Sequence, residues 1–219
     1  MLDKEQELVH YLYKRVLQDD PLMDSYMNTL GYSTYLGYPE FASFFVDLVR
    51  TSVLDAGSGY GGLAIDLSRF AFPVEIVSLN PRIILPGFSL QSLGEIEPDL
   101  KRYPETKLRQ AVKVHNQTAV AAFAQFLPFQ DGVFDRVFDC RGILMHAQKS
   151  EEIETAFQEF WRVLKPGGKL ITAPFMNEDQ KKWALEAIHS LNIHFTPIVY
   201  RQQIKDQGML GGFRCYKPE

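Results

Sequence analysis

The stretch Val53-Leu54-Asp55-Ala56-Gly57-Ser58-Gly59-Tyr60-Gly61-Gly62 decides how the rest of the chain is read. The short apolar run Ser52-Val53-Leu54-Asp55 breaks into a glycine-rich loop and then into the helical pattern Leu63, Ile65, Leu67 to Phe70. Glycine permits the tight turn and lets a ligand approach the backbone where a Cβ would clash. The loop also feeds a helix N-terminus, whose free N–H groups favour the anionic parts of a ligand. Gly57, Gly59 and Gly62 satisfy G-x-G-x-x-G, the dinucleotide fingerprint, which by itself does not choose a cofactor.

Working outward, Val74 to Ser78 reads as a second strand, and Phe134 to Cys140 as another, entered from the turn Gln130-Asp131-Gly132. Glu151 to Leu164 reads as a helix with Ser150 as N-cap and acids in its first turn, closed by Lys165-Pro166-Gly167-Gly168. A strand over Lys169 to Ala173, a helix over Glu178 to Ser190, and two late strands near Phe195–Tyr200 and Phe213–Lys217 complete the pattern. Strands alternating with helices predict an α/β fold, a doubly wound and mostly parallel sheet covered on both faces. The first fifty residues differ. Leu8, Leu12 and Val16 recur at helical spacing, Asp20-Pro21 stops that helix, and a second helix runs from Pro39 through Leu48. We therefore expect an N-terminal helical extension or lid at 1–50 and a ligand-binding domain at 51–219. The connection at 83–116 is long for a crossover and has the character of a lid or binding loop.

Composition excludes several classes. With 219 residues, 46% hydrophobic and 23% charged, the chain has enough material for a real core and is not compositionally disordered. No apolar run reaches the roughly 18–20 residues of a membrane span, and the charged start Met1-Leu2-Asp3-Lys4-Glu5-Gln6 is unlike a secretory signal. A net charge of −4 argues against broad nucleic-acid binding. Cys140 and Cys215 cannot build a disulfide framework, and no cluster has metal-ligand spacing. The expectation is a reduced, cytoplasmic protein, monomer or homodimer, without a metal. Aromatic content is high, with 16 Phe and 10 Tyr, and the rings gather in the N-terminal segment and around Phe123, Phe126 and Phe129.

Three segments together carry a resemblance. Asp55 followed by Gly57, Gly59 and Gly61 is one; Phe126-Leu127-Pro128-Phe129-Gln130-Asp131-Gly132-Val133-Phe134-Asp135-Arg136-Val137 is the second; Arg162-Val163-Leu164-Lys165-Pro166-Gly167-Gly168-Lys169-Leu170 is the third. In order and spacing they resemble the class I S-adenosylmethionine-dependent methyltransferases, closest to the small-molecule branch called type 11, over about residues 51–217. The resemblance implies a seven-stranded Rossmann-like sheet, S-adenosylmethionine as cofactor and a small-molecule or lipid-like methyl acceptor. It implies a cofactor site at Asp55, Gly57, Ser58, Gly59, Gly61, Ser78, Leu79, Phe123, Ala124 and Cys140.

The family carries an acid at the end of the second strand and another before the Leu-Pro-Phe stretch. Alignment places Ser78 and Phe123 at those positions. Two alternatives follow from that departure. One is a methyltransferase-fold protein that binds or scaffolds without catalysis. The other is an NADP-binding oxidoreductase, in which Ser78 and Arg82 accommodate the 2′-phosphate. On the acceptor side, His146 is the candidate general base, Arg141 a fork for a substrate carboxylate or phosphate, and Tyr35 a candidate substrate contact. Cys140 reads as a small buried residue lining the pocket rather than a nucleophile.

Overall fold

Neighbouring residues Val53 and Leu54, Val137 and Phe138, and Leu170 and Ile171 are all fully buried. Successive residues of a strand point to opposite faces, so these strands must be covered on both sides, as in a parallel sheet flanked by helices. The computed structural model describes residues 33–39, 41–58, 61–69, 73–79, 118–175, 177–200 and 209–219. The expected helix around Leu8 to Leu17 and the connection at 83–116 lie outside them.

The described elements are α1 (Phe41–Leu48), β1 (Ser52–Ala56), α2 (Gly62–Arg69), β2 (Glu75–Leu79), β3 (Ala119–Val120), β4 (Phe134–Cys140), α3 (Ile143–His146), α4 (Ser150–Val163), β5 (Leu164–Ala173), α5 (Glu178–Ser190), β6 (Phe195–Ile198) and β7 (Gly212–Tyr216). They form one seven-stranded sheet in the order β3-β2-β1-β4-β5-β7-β6. Strands β3 through β5 are parallel, β7 runs antiparallel to β5, and β6 antiparallel to β7. The chain steps outward from β1 to β2 and β3, then returns to place β4 on the other side of β1. That reversal makes the carboxyl ends of β1 and β4 the switch point, where open α/β sheets bind ligands.

Each face has its own core. On one, Leu54, Ala56, Leu79, Val137 and Leu170 meet the stripe Ile153, Ala156, Phe157, Phe160 and Val163 of α4 and Ala184 and Ile188 of α5. On the other, Val53, Phe138, Cys140, Ile171 and Ala173 meet Phe44, Phe45 and Leu48 of α1, Leu63 and Leu67 of α2, and Tyr35 and Leu36. The described part of the first fifty residues thus shares a core with the sheet. Asp47 of α1 anchors it, accepting hydrogen bonds from Arg136 of β4 at 2.9 Å, from Lys169 of β5 at 2.8 Å, and from the Tyr38 hydroxyl. Much of the aromatic excess is packing: Phe44, Phe45, Phe138, Phe157, Phe160 and Phe175 are all fully buried side chains. Among the described residues no helix is long and apolar enough to cross a membrane.

Boundaries differ from the sequence reading in instructive places. Ser150 is the first residue of α4 and Lys149 its N-cap, while Glu152 reaches back to accept from the Gln148 amide at 2.9 Å. The segment Lys165-Pro166-Gly167-Gly168 is not a turn between helix and strand. β5 already pairs at Leu164 with Phe134, and the register resumes only at Arg136 with Lys169, so the Pro-Gly-Gly is an irregularity within the strand. β6 ends at Ile198, where its pairing with Gly212 ends, rather than at Tyr200.

Two of the three motif segments clamp one another. Arg162, near the end of α4, donates to the carbonyls of Phe129 at 2.8 Å and Leu127 at 3.1 Å and pairs with Asp131 at 2.7 Å. Glu159, one turn earlier, accepts from Arg162 and from the Leu127 amide at 2.8 Å. Hydrogen bonds to charged groups contribute about 1.5–3 kcal/mol. Arg162→Ala is therefore expected to cost about 2–3 kcal/mol, a fall of about 5–10 °C in a thermal unfolding scan. Arg162→Lys, which keeps the charge and loses the fork, should recover less than half of it.

Candidate functional site

The site is built at the switch point from the carboxyl ends of β1, β2 and β4. Asp55 on β1 is fully buried and stands in register with Ser78 on β2 and Phe138 on β4. Register partners on parallel strands share a face, so the Asp55 carboxylate and Ser78 hydroxyl project to the same side of the sheet. Ser78 Oγ is buried and has no hydrogen-bond partner among the described residues, which leaves a polar group in need of one.

Beyond Asp55 the chain turns at Gly57, whose φ of +83° is in the left-handed region. Ser58 then ties the loop to β2: its amide and its hydroxyl both donate to the Leu79 carbonyl, at 3.3 and 3.2 Å. The Gly61 amide closes the turn on the Ser58 carbonyl at 2.8 Å. Gly59 and Tyr60 lie outside the described residues. Leu79 takes part through its carbonyl, because its side chain is in the core on the opposite face from Ser78. The helix that receives the loop, α2, begins at Gly62.

A second backbone meets this loop. A Cβ on Gly57 would lie 2.3 Å from the Cα of Gly142, in the loop after β4, so neither loop can carry a side chain at the contact. A Cβ on Gly142 would lie 2.0 Å from Asp139 Oδ1 and 2.8 Å from the Ala56 carbonyl. Asp139, fully buried near the end of β4, accepts from the Ile143 amide at 2.9 Å through Oδ1 and from the Thr172 hydroxyl at 3.1 Å through Oδ2. The Leu144 amide also bonds to it. Burial pushes the Asp139 carboxyl up to about 6, against these three donors, which pull it down. Asp139, Gly142 and Thr172 were not singled out from the sequence. The available signal was an ionisable residue inside the apolar run Val137-Phe138-Asp139-Cys140, followed three residues later by glycine at the mouth of a helix.

The acceptor-side candidates divide. Cys140 is fully buried, and burial followed by the nearby Asp55 and Asp139 charges raises its thiol well above the ordinary range, so it is no thiolate nucleophile. Arg141 has φ +61°, and its amide donates to the Ala173 carbonyl at 3.0 Å. Its guanidinium lies 5.8 Å from the centroid of the Tyr35 ring. Tyr35 is buried, and its carbonyl accepts from the Tyr200 hydroxyl. These residues gather on one flank. His146 is exposed at the end of the four-residue helix α3. Phe123 is 61% exposed, on a turn closed by the Phe126 amide on its carbonyl at 3.0 Å, and Ala124 packs partly against the core.

The raised Asp139 carboxyl makes a signed prediction. The folded state holds its proton more tightly than the unfolded chain, whose value is near 3.8, so the ionised group destabilises the fold above about pH 6. That penalty is relieved as pH falls from about 6 toward 3.8. Asp139→Asn should therefore raise the unfolding temperature at pH 7.5, by the equivalent of up to about 3 kcal/mol, and the gain should shrink steadily when scans are repeated down to pH 5.

Comparison with known proteins fits this geometry. A methyltransferase domain family model matches residues 94–172, which includes the Arg162 clamp but not the glycine-rich loop. The ubiquinone/menaquinone biosynthesis C-methyltransferase UbiE of Erwinia tasmaniensis is 29% identical over 71% of this chain and 55% of its own length. The enzyme of the same name from Yersinia pestis is 33% identical over 56% of this chain and 42% of its own. The chain thus spans about half the length of these curated relatives. Among solved structures, a Methanococcus maripaludis protein assigned to the S-adenosyl-L-methionine-dependent methyltransferases superposes with a TM-score of 0.54 at 16% identity, covering 90% of this chain and 96% of that one. The [4+2]-cyclase SpnF superposes at 0.50 with 18% identity, covering 77% of this chain and 74% of its own. At such identities the structural likeness speaks for the fold, and the cyclase shows that the fold alone does not choose the reaction. Sheet order and sequence matches agree: residues 94–172 are similar to a methyltransferase domain, and the fold is the Rossmann-like fold seen in S-adenosyl-L-methionine-dependent methyltransferases.

Proposed function

We propose that this protein transfers a methyl group from S-adenosylmethionine to a small-molecule or lipid-like acceptor. The observation that carries the reading is the buried Ser78 hydroxyl, unpartnered among the described residues and on the same face as Asp55, beside a loop that turns at Gly57. A polar group of that kind fits a ribose hydroxyl, and the loop fits a ligand held by backbone. In this reading Gly57, Ser58, Gly59 and Gly61 hold the cofactor through main-chain groups, Ser78 bonds its ribose, and the exposed Phe123 ring covers its adenine. Leu79 contributes backbone, while Ala124 and Cys140 supply apolar wall. Bound there, S-adenosylmethionine supplies an electrophilic methyl group, so the protein's task is to align a nucleophile and exclude water. Arg141, steadied over Tyr35, holds an anionic group of the acceptor, and His146 receives a proton where the acceptor must lose one. The quinone-biosynthesis C-methyltransferases among the relatives make carbon acceptors on quinone-like rings the first class to assay. In this reading residues 1–50 are an extension to the ligand-binding domain at 51–219.

Ser78 and Phe123 stand, in this reading, where related enzymes use carboxylates. Replacing two charged hydrogen bonds by weaker contacts lowers affinity by roughly 10²–10⁴-fold. A second reading, cofactor binding without methyl transfer, draws support from the exposed position of His146, the candidate base.

Calorimetric titration with S-adenosylmethionine and S-adenosylhomocysteine tests the proposal. Binding of both is expected, in the micromolar to high-micromolar range. No heat and no thermal shift with either at millimolar concentration would sink it. Ser78→Asp should tighten binding by about 1.5–3 kcal/mol, roughly 10–150-fold. Binding without turnover across a panel of quinone-like acceptors would favour the second reading.

A further inference from the structure

We propose that Asp139 is a positioning residue that couples the two halves of the site, holding the loop after β4 against the glycine-rich loop after β1. The proposal extends the methyltransferase reading for its ligand-binding arm, while the coupling itself stands on the ligand-free geometry. The path is continuous and short. Thr172 Oγ1 donates to Asp139 Oδ2, and Asp139 Oδ1 takes the Ile143 amide at 2.9 Å. Those bonds set the direction in which the chain leaves β4, with Gly142 pressed so closely that a Cβ there would lie 2.0 Å from Oδ1. Gly142 in turn meets Gly57 backbone to backbone, and Ser58 fastens that loop to Leu79 at the end of β2. Every link is a backbone contact or a hydrogen bond of a buried side chain, so there is no long flexible side chain to absorb a displacement.

The arrangement has a functional direction. Residues on the β1 side of the contact line the cofactor site, and the β4 loop carries Arg141 and His146 on the acceptor side. α3 is a single turn whose Ala147 amide bonds to the Ile143 carbonyl at 2.8 Å and whose Met145 amide bonds to Gly142 at 3.1 Å. One turn has no helical cooperativity of its own, so its placement depends on the carboxylate that holds its first amides. Filling the glycine-rich loop and placing the acceptor loop are then two aspects of one equilibrium, set by the Gly57–Gly142 contact that Asp139 maintains.

Backbone amide hydrogen exchange on the ligand-free protein, together with S-adenosylhomocysteine titration, tests this. In Asp139→Ala, exchange at Ile143 should quicken by about tenfold or more. Exchange at Ser58 and Gly61, two amides with acceptors of their own in the other loop, should quicken by about fivefold or more, and affinity for S-adenosylhomocysteine should fall by a similar factor. Asp139→Asn, which keeps an acceptor for Ile143, should restore all three. Faster exchange at Ile143 with Ser58 and Gly61 unchanged would overturn the coupling and leave Asp139 a local helix cap. Should Asp139→Ala not fold, Thr172→Val removes one bond to the carboxylate and keeps side-chain shape. It should quicken exchange in both loops together, and a change in the β4 loop alone would overturn the coupling as well. If the wild type binds no S-adenosylhomocysteine, the methyltransferase reading fails while the exchange comparison still decides the coupling.

Discussion

At the mouth of the sheet two main chains touch with nothing between them. β1 and β4 are adjacent and parallel, and their connections leave in opposite directions around the sheet, so the first residues beyond each strand compete for one small volume. The conflict is resolved by having glycine on both sides, Gly57 and Gly142, and by a buried carboxylate that fixes the angle of departure from β4. The rest of the site follows from this contact. The glycine-rich loop must hug the end of β2, which it does through Ser58. Arg141 must leave β4 through a left-handed backbone conformation that non-glycine residues enter at a cost of about 1–2 kcal/mol. The ordering of this corner is supported by the two apolar cores beneath it, where buried Phe and Leu side chains each contribute about 1.5–3 kcal/mol.

The features that carry the likeness to methyltransferases and those proposed to hold a ligand are different sets of residues. Arg162, Glu159 and the Leu127-Pro128-Phe129 segment form a structural clamp on the face away from Asp55 and Ser78. A domain can keep that clamp, and with it the recognisable sequence pattern, while its ligand contacts change. Ser78 stands in register with Asp55 at the strand end, and the pairing of β1 with β2 runs undisturbed on either side.

Much of this was legible in the sequence. Phe134 to Cys140 was readable because a strong local signal, the Asp131-Gly132 turn, bounds it; the helix over Glu178 to Ser190 is capped in the structure by the Asn177 side chain, which accepts from the Gln180 amide. β3 was not legible. It is two residues, Ala119 and Val120, within Thr118-Ala119-Val120-Ala121-Ala122, and alanine carries little strand preference. The glycine-rich loop was visible as a tight turn between strand and helix, but the other backbone that requires Gly57 was not, because Gly142 is distant in sequence. Asp139 was hidden for a similar reason. Its partners are an amide just beyond its own strand and a hydroxyl 33 residues later, and only the parallel pairing of β4 with β5 brings Thr172 alongside.

The outer strand of the sheet carries one further consequence. β6 lies at the edge, and its third residue is Pro197, paired with Phe213 of β7. An edge strand is a template on which another chain's strand can add by hydrogen bonding, and proline withholds an amide from that template. With four residues and one donor removed, β6 offers a poor surface for sheet-to-sheet growth. At this margin, among the described residues, the architecture resists strand addition.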